Sequence, residues 1–195
     1  MKKIIIAFLL SIIQVITFAQ VKSSAGGIFS QEFSKEITAY KVKEHIVKNI
    51  LQVSDKELID VKIDALTASS SGELTSVVYN CESQNKSGLI FAFWNQKFNE
   101  NDTHFTQYSF KTLNLDQAKE FMNAFSKALS QALINNGGHD NNNVIYKYDD
   151  MTFIFYYSGL NGNLIRVLWG DFDSAWSQSN FDITLKRFNK FFGLK

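Results

Sequence analysis

The sequence predicts an α+β fold: an antiparallel sheet of about six to seven strands in meanders, with two to three helices packed on one face as a two-layer sandwich. Three observations carry this. Short alternating segments fall into two groups whose members are joined by polar turns rather than helical crossovers, the pattern of neighbouring antiparallel strands. Residues 114–138 repeat apolar side chains at spacings of three and four. A second helical stripe closes the chain. The order meander-then-helix occurs twice, which suggests pseudo-duplicated halves, although residue-level similarity between them is slight.

The elements follow in chain order. Residues 30–51 read as a helix with Phe33, Ile37, Tyr40, Val47 and Leu51 on one side, while Val42, Ile46 and Ile50 widen the apolar surface. Residues 58–65 alternate strictly, predicting a strand with Ile59, Val61 and Ile63 inward. Ser69 to Gly72 make a turn, and residues 74–81 a second strand. A turn at 84–88, a strand over 89–98, a turn at 99–102 and a strand over 104–112 complete the first group.

The helix after them is the clearest element. Ala118, Phe121, Met122, Phe125, Leu129, Ala132 and Leu133 form its stripe, and Asn114 with Gln117 three residues on is a variant of the capping box. Asp116 suits the positive end of the helix dipole. The run Asn135-Asn136-Gly137-Gly138 ends it. Residues 144–148 and 151–157, joined at Asp149-Asp150, make the best hairpin. The turn over 158–162 contains Asn-Gly, and 164–169 reads as the last strand. Ser179 to Asp182 resembles a capping box opening a final helix with Phe181, Leu185, Phe188 and Phe192 in a stripe, stopped by Gly193.

Residues 1–19 precede the fold. Lys2 and Lys3 form a basic start, Ile4 to Phe18 is an apolar run broken only by Ser11, Gln14 and Thr17, and Thr17-Phe18-Ala19 is a small-x-small cleavage site. This is the pattern of a secretory signal peptide. The expected organisation is a cleaved signal peptide at 1–19, a flexible lead-in at 20–30 and one α+β domain over 31–195. The apolar run is short for a membrane span, and no later segment resembles one. The expected address is therefore exported: periplasmic, cell-surface or extracellular.

Removing residues 1–19 takes away Lys2 and Lys3 and no acid, so 18 of the 20 basic side chains remain against 19 acidic ones, a formal net charge of −1. Such a mixed, near-neutral chain has no electrostatic footprint for nucleic acid or an anionic membrane. Its single cysteine, Cys81, gives no internal disulfide and reads as a small hydrophobe on a strand.

Reactive constellations are not evident. His45 lies among Lys43, Glu44 and Lys48 and reads as a solvated helix residue. His104 opens a strand, and His139 with Asp140 sits in a Gly/Asn-rich loop that reads as a turn. No metal-ligand spacing, nucleophile elbow, phosphate loop or dinucleotide fingerprint appears. Asp171, Asp173 and Asp182 fit three positions of a calcium loop, but Trp176 stands where its glycine belongs. No catalytic residue, metal or cofactor is assigned.

Aromatic side chains remain. Met151, Phe153, Phe155 and Tyr157, with Ile154 and Tyr156 opposite, make one strand apolar on both faces. Its second side is then either covered or offered to a partner. Trp176 follows an acidic loop and precedes a helix cap, so an exposed ring is expected there. The expected function is a non-enzymatic exported module binding a protein, peptide or apolar small molecule through Tyr156, Trp169, Asp171, Asp173 and Trp176. The alternative is an exported hydrolase using dispersed carboxylates or a Cys81–His104 pair.

Overall fold

A computed structural model describes residues 36–98, 104–136, 142–160 and 162–194. The signal peptide, the lead-in, Phe33 and the loop holding His139 and Asp140 lie outside the described residues. The chain divides into the units Met1–Ile37 and Thr38–Lys195. Of the first unit only residues 36 and 37 are described, as the start of a helix, and every other described residue belongs to the second.

The fold is α+β and antiparallel, but the strands form two sheets of four rather than one of six or seven. Helix α1 covers residues 36–51, and its last six, Ile46–Leu51, are wound as a π-helix. Strands β1 (Lys62–Ala68), β2 (Leu74–Cys81), β3 (Lys86–Phe98) and β4 (His104–Asn114) make sheet A in sequential order. Helix α2 (Leu115–Asn136) follows. Sheet B repeats the plan with β5 (Asn143–Tyr148), β6 (Met151–Ser158), β7 (Gly162–Trp169) and β8 (Phe172–Ser177), then helix α3 (Gln178–Phe192).

Alternation along each strand sets what packs where. Leu89, Phe91 and Phe93 of β3 share one buried cluster with Phe121 and Phe125 of α2, Phe153 and Phe155 of β6, Trp176 of β8 and Phe181 of α3. The two sheets therefore face one another, and Phe91 meets Trp176 edge-on with ring centroids 5.9 Å apart. Helix α2 packs on β3 and β4 and also on β5 and β6, while α3 packs on β7 and β8 and on β1 and β2. Each helix bridges the end of its own meander and the start of the other, a pseudo-two-fold arrangement. The helices line the interior between two sheets, so the expected two-layer sandwich with helices on one face does not describe them.

The opposite face of sheet A is also buried. Val77, Tyr79, Cys81, Ile90 and Ala92 pack against Val42, Ile46 and Leu51 of α1. The buried stripe of α1 runs Thr38, Val42, Ile46 at intervals of four, and Tyr40 and Val47 are exposed, contrary to expectation. The π winding then returns Leu51, five residues beyond Ile46, to the buried side.

Local signals explain the element ends. Asn114 Oδ1 accepts from the Gln117 amide at 2.9 Å while the Asn114 amide donates to Gln117 Oε1 at 3.0 Å, the reciprocal box the sequence suggests. Helix α3 is capped by Ser177, whose Oγ accepts from the Asn180 amide at 3.1 Å, not by Ser179. It stops at Gly193, where φ is +64°. Strand β1 starts later than expected and carries an irregularity between Ala65 and Thr67, which turns Leu66 into the core.

Candidate functional site on the outer face of sheet B

Sheet B alternates cleanly. Val144, Phe155, Ile165 and Trp176 form one cross-strand row toward the core, and Tyr146, Phe153, Val167 and Ser174 another. The intervening rows point outward. One holds Asn143, Tyr156, Leu164 and Ser177, the next Ile145, Ile154, Arg166 and Ala175, and the third Lys147, Thr152, Leu168 and Asp173. Ile145 is 63% exposed, and Ile154, Tyr156, Leu164 and Leu168 are half-buried. Among the described residues no helix packs over this face, whereas α1 covers the equivalent face of sheet A.

One ion pair crosses the face. Arg166 Nε lies 2.5 Å from Asp173 Oδ1 and Nη2 2.9 Å from Oδ2, a bidentate fork that raises the guanidinium pKa further. Asp173 is thus part of this outward face, as is Tyr156.

The other three expected residues lie elsewhere. Trp169 ends β7, its ring 5.2 Å from that of Phe93 and its Nε1 donating to Asp150 Oδ2 at 2.8 Å. Asp171 sits in the β7–β8 turn, exposed, with Lys97 Nζ at 2.9 Å holding its carboxyl below the ordinary value. Trp176 corrects the sequence reading. It is 2% exposed and packs against Phe91, Phe125 and Phe181. The reason is β8 itself: residues 170–177 read as a loop but form a strand whose Phe172, Ser174 and Trp176 face inward. Residues 171, 173 and 182 are consequently split among a turn, a strand and a helix.

Sequence reasoning missed Ile145, Leu164, Arg166 and Leu168 as surface partners. The usable signal was the same two-faced pattern seen in β6, repeated more weakly in Leu164-Ile165-Arg166-Val167-Leu168.

Of the hydrolase alternative, the Cys81–His104 pair is not brought together. Cys81 is buried, with its Sγ 3.4 Å from Ser83 Oγ, and pairs with Lys86 at one end of β3. His104 pairs with Phe98 at the other end of that 13-residue strand. At about 3.3 Å per residue the two lie about 40 Å apart along it. Among the described residues no group of acids, histidines and cysteines could hold a metal ion. No described helix is long and apolar enough to cross a membrane. Comparison of the chain with protein-family models, with curated proteins and with solved structures finds no match in any of the three.

Proposed function

We propose that the protein is an exported, non-enzymatic binding module whose outer face of sheet B receives an amphipathic helix of a partner protein. One observation carries the proposal: sheet A has α1 laid across its outer face, and sheet B offers a comparable apolar face without such a cover among the described residues. The pseudo-two-fold relation supports a helix as the occupant. A segment equivalent to α1 would have to fit before β5, in residues 137–142, too few for three turns of helix. The Arg166–Asp173 fork at the centre of the face gives a partner one cation and one anion to read. Export rests on the pattern of residues 1–19, and N-terminal sequencing of the protein from its source is expected to begin at Gln20.

A photo-crosslinking side chain placed at Ile145, with Ile183 of α3 as an exposed control, tests the docking surface in the native cell. The expected result is an adduct with a second protein at position 145 and none at 183. Equal labelling at both positions, or none at 145, removes the proposal. An adduct with a second copy of this chain assigns the face to self-association instead.

A further inference from the structure

The strands β1, β4, β5 and β8 lie at the edges of the two sheets, and three of them are blunted. Strand β1 carries its irregularity between Ala65 and Thr67. Side chains of α3 also occupy its carbonyls: Arg187 Nη1 donates to Leu66 O at 2.7 Å and Asn180 Nδ2 to Ala68 O at 3.0 Å. Strands β5 and β8 are short, 6 residues each, and carry Lys147 and Asp173. Strand β4 has none of these devices. Its 11 residues pair with β3 in unbroken register. Among the described residues no strand lies along its other side, and no turn or loop backbone bonds to it. Its one lysine, Lys111, is turned to Asp149 and Asp150 of the other sheet instead of guarding the edge. Phe105, near its start, is 47% exposed. Such a row of backbone N–H and C=O groups is a template for another extended chain.

The sequence of β4 selects the chain that fits. Lay the strand antiparallel on a second copy of itself, about a two-fold axis that passes through Ser109 perpendicular to the sheet. On the face covered by α1, Tyr108 then stands opposite Phe110, and Thr106 opposite Thr112. On the face toward sheet B, Phe105 stands opposite Leu113, and Gln107 opposite Lys111. Aromatic, hydroxyl, apolar and polar side chains each meet their own kind, as a stable antiparallel ladder requires. Moving the axis to Tyr108 sets Phe105 against Lys111 and Thr106 against Phe110. Moving it to Phe110 sets Gln107 against Leu113 and Tyr108 against Thr112. An axis between two residues exchanges the faces altogether.

We infer that β4 pairs with β4 of a second copy about Ser109, joining the four strands of sheet A from each chain into one continuous sheet with both α1 helices on the same side. Sheet A alone forms this interface, so it stands apart from the docking face on sheet B.

Sedimentation velocity of the purified protein over a rising concentration series, with amide hydrogen exchange of β4 and the variants Ser109→Cys and Gln107→Cys, tests it. The mass is expected to move from that of one chain to that of two. Ser109→Cys is expected to form a disulfide-linked dimer on mild oxidation, because residues facing each other across the axis have Cα atoms about 4.5–5.5 Å apart, within disulfide reach. Gln107→Cys lies on the same face but is displaced from its copy by about 13 Å along the strands, and is expected to stay unlinked. Cys81 is buried and common to both variants. A one-chain mass at every concentration overturns the inference: slow exchange of the outward β4 amides then gives the edge to another segment of the same chain, and fast exchange leaves it open. A two-chain mass in which neither cysteine links, or both link equally, overturns it as well.

Discussion

Lys111 of β4 reaches out of sheet A to Asp150 in the β5–β6 turn, its ammonium 2.5 Å from Oδ1, and touches Asp149 Oδ2 at the same distance. Asp150 turns its other oxygen to Trp169 Nε1. One lysine thereby joins the two meanders at their rim, next to the Tyr148 hydroxyl, which donates to Gln117 O of α2 at 3.0 Å.

The Lys111 side chain is only 14% exposed, so the contact is screened less than a surface pair. Lys111→Met is expected to lower stability by about 1–2 kcal/mol in urea unfolding. The Lys111 and then the Trp169 hydrogen bonds hold the Asp150 carboxyl below its ordinary 3.8. The resulting stabilisation is present above pH 3.8 and is lost as pH falls through the lower folded value. Asp150→Asn should flatten that acid limb, and an unchanged limb would show that other carboxylates set it.

His45 predicts a second, milder pH dependence. Its ring stacks on Phe110 at 4.6 Å and its Nε2 meets Thr112 Oγ1 at 3.2 Å. Burial lowers its pKa from 6.5, so the unfolded chain takes up the proton first. Stability should therefore fall as pH drops below 6.5, and His45→Gln should remove that part of the slope in thermal melts. Lys41 and Lys48, which line the same cleft, oppose protonation, and Glu44 favours it.

Trp176 and Trp169 should behave oppositely on truncation. Trp176→Ala opens a cavity between both sheets and two helices, costing about 3–5 kcal/mol. Trp169→Phe retains the aromatic contact and loses the bond to Asp150, costing about 1 kcal/mol. Equal urea midpoints for the two variants would contradict the inward orientation of β8.

Two glycines separate steric from conformational cost. A β-carbon on Gly88 would stand 2.1 Å from Leu113 O, so Gly88→Ala must part β3 from β4 and should cost about 3 kcal/mol or more. Gly170 has open space but a φ of +54°. Gly170→Ala should cost only about 1–2 kcal/mol, the left-handed penalty, by the same unfolding assay.

Legibility followed locality. The bounds of β2, the Asn114–Gln117 box, the Asp149-Asp150 hairpin and the stripe of α2 are all readable, because each is fixed within a few residues. Strand β8 is hidden because Asp171, Asp173 and Ser177 make its turn and outer positions polar and the buried Ser174 interrupts its inward row, so the segment passes for a loop. The phase of α1 is masked because its buried stripe begins with a polar residue, Thr38. The division into two sheets depends on which strands find each other across α2, and no local pattern encodes that. Of the candidate site, the two-faced character of β6 is visible in Ile154 and Tyr156. The outward side of β7 is not, since a run of five apolar and basic residues does not declare its faces.

Sheet B divides its positions between two masters. Phe153, Phe155, Ile165 and Val167 are held by the interior and can change only with their neighbours. Ile145, Ile154, Leu164 and Leu168 alternate with them yet answer to no core contact. Substitution can therefore redraw that exterior while folding proceeds as before, so the chemistry of the surface is free to vary independently of the core.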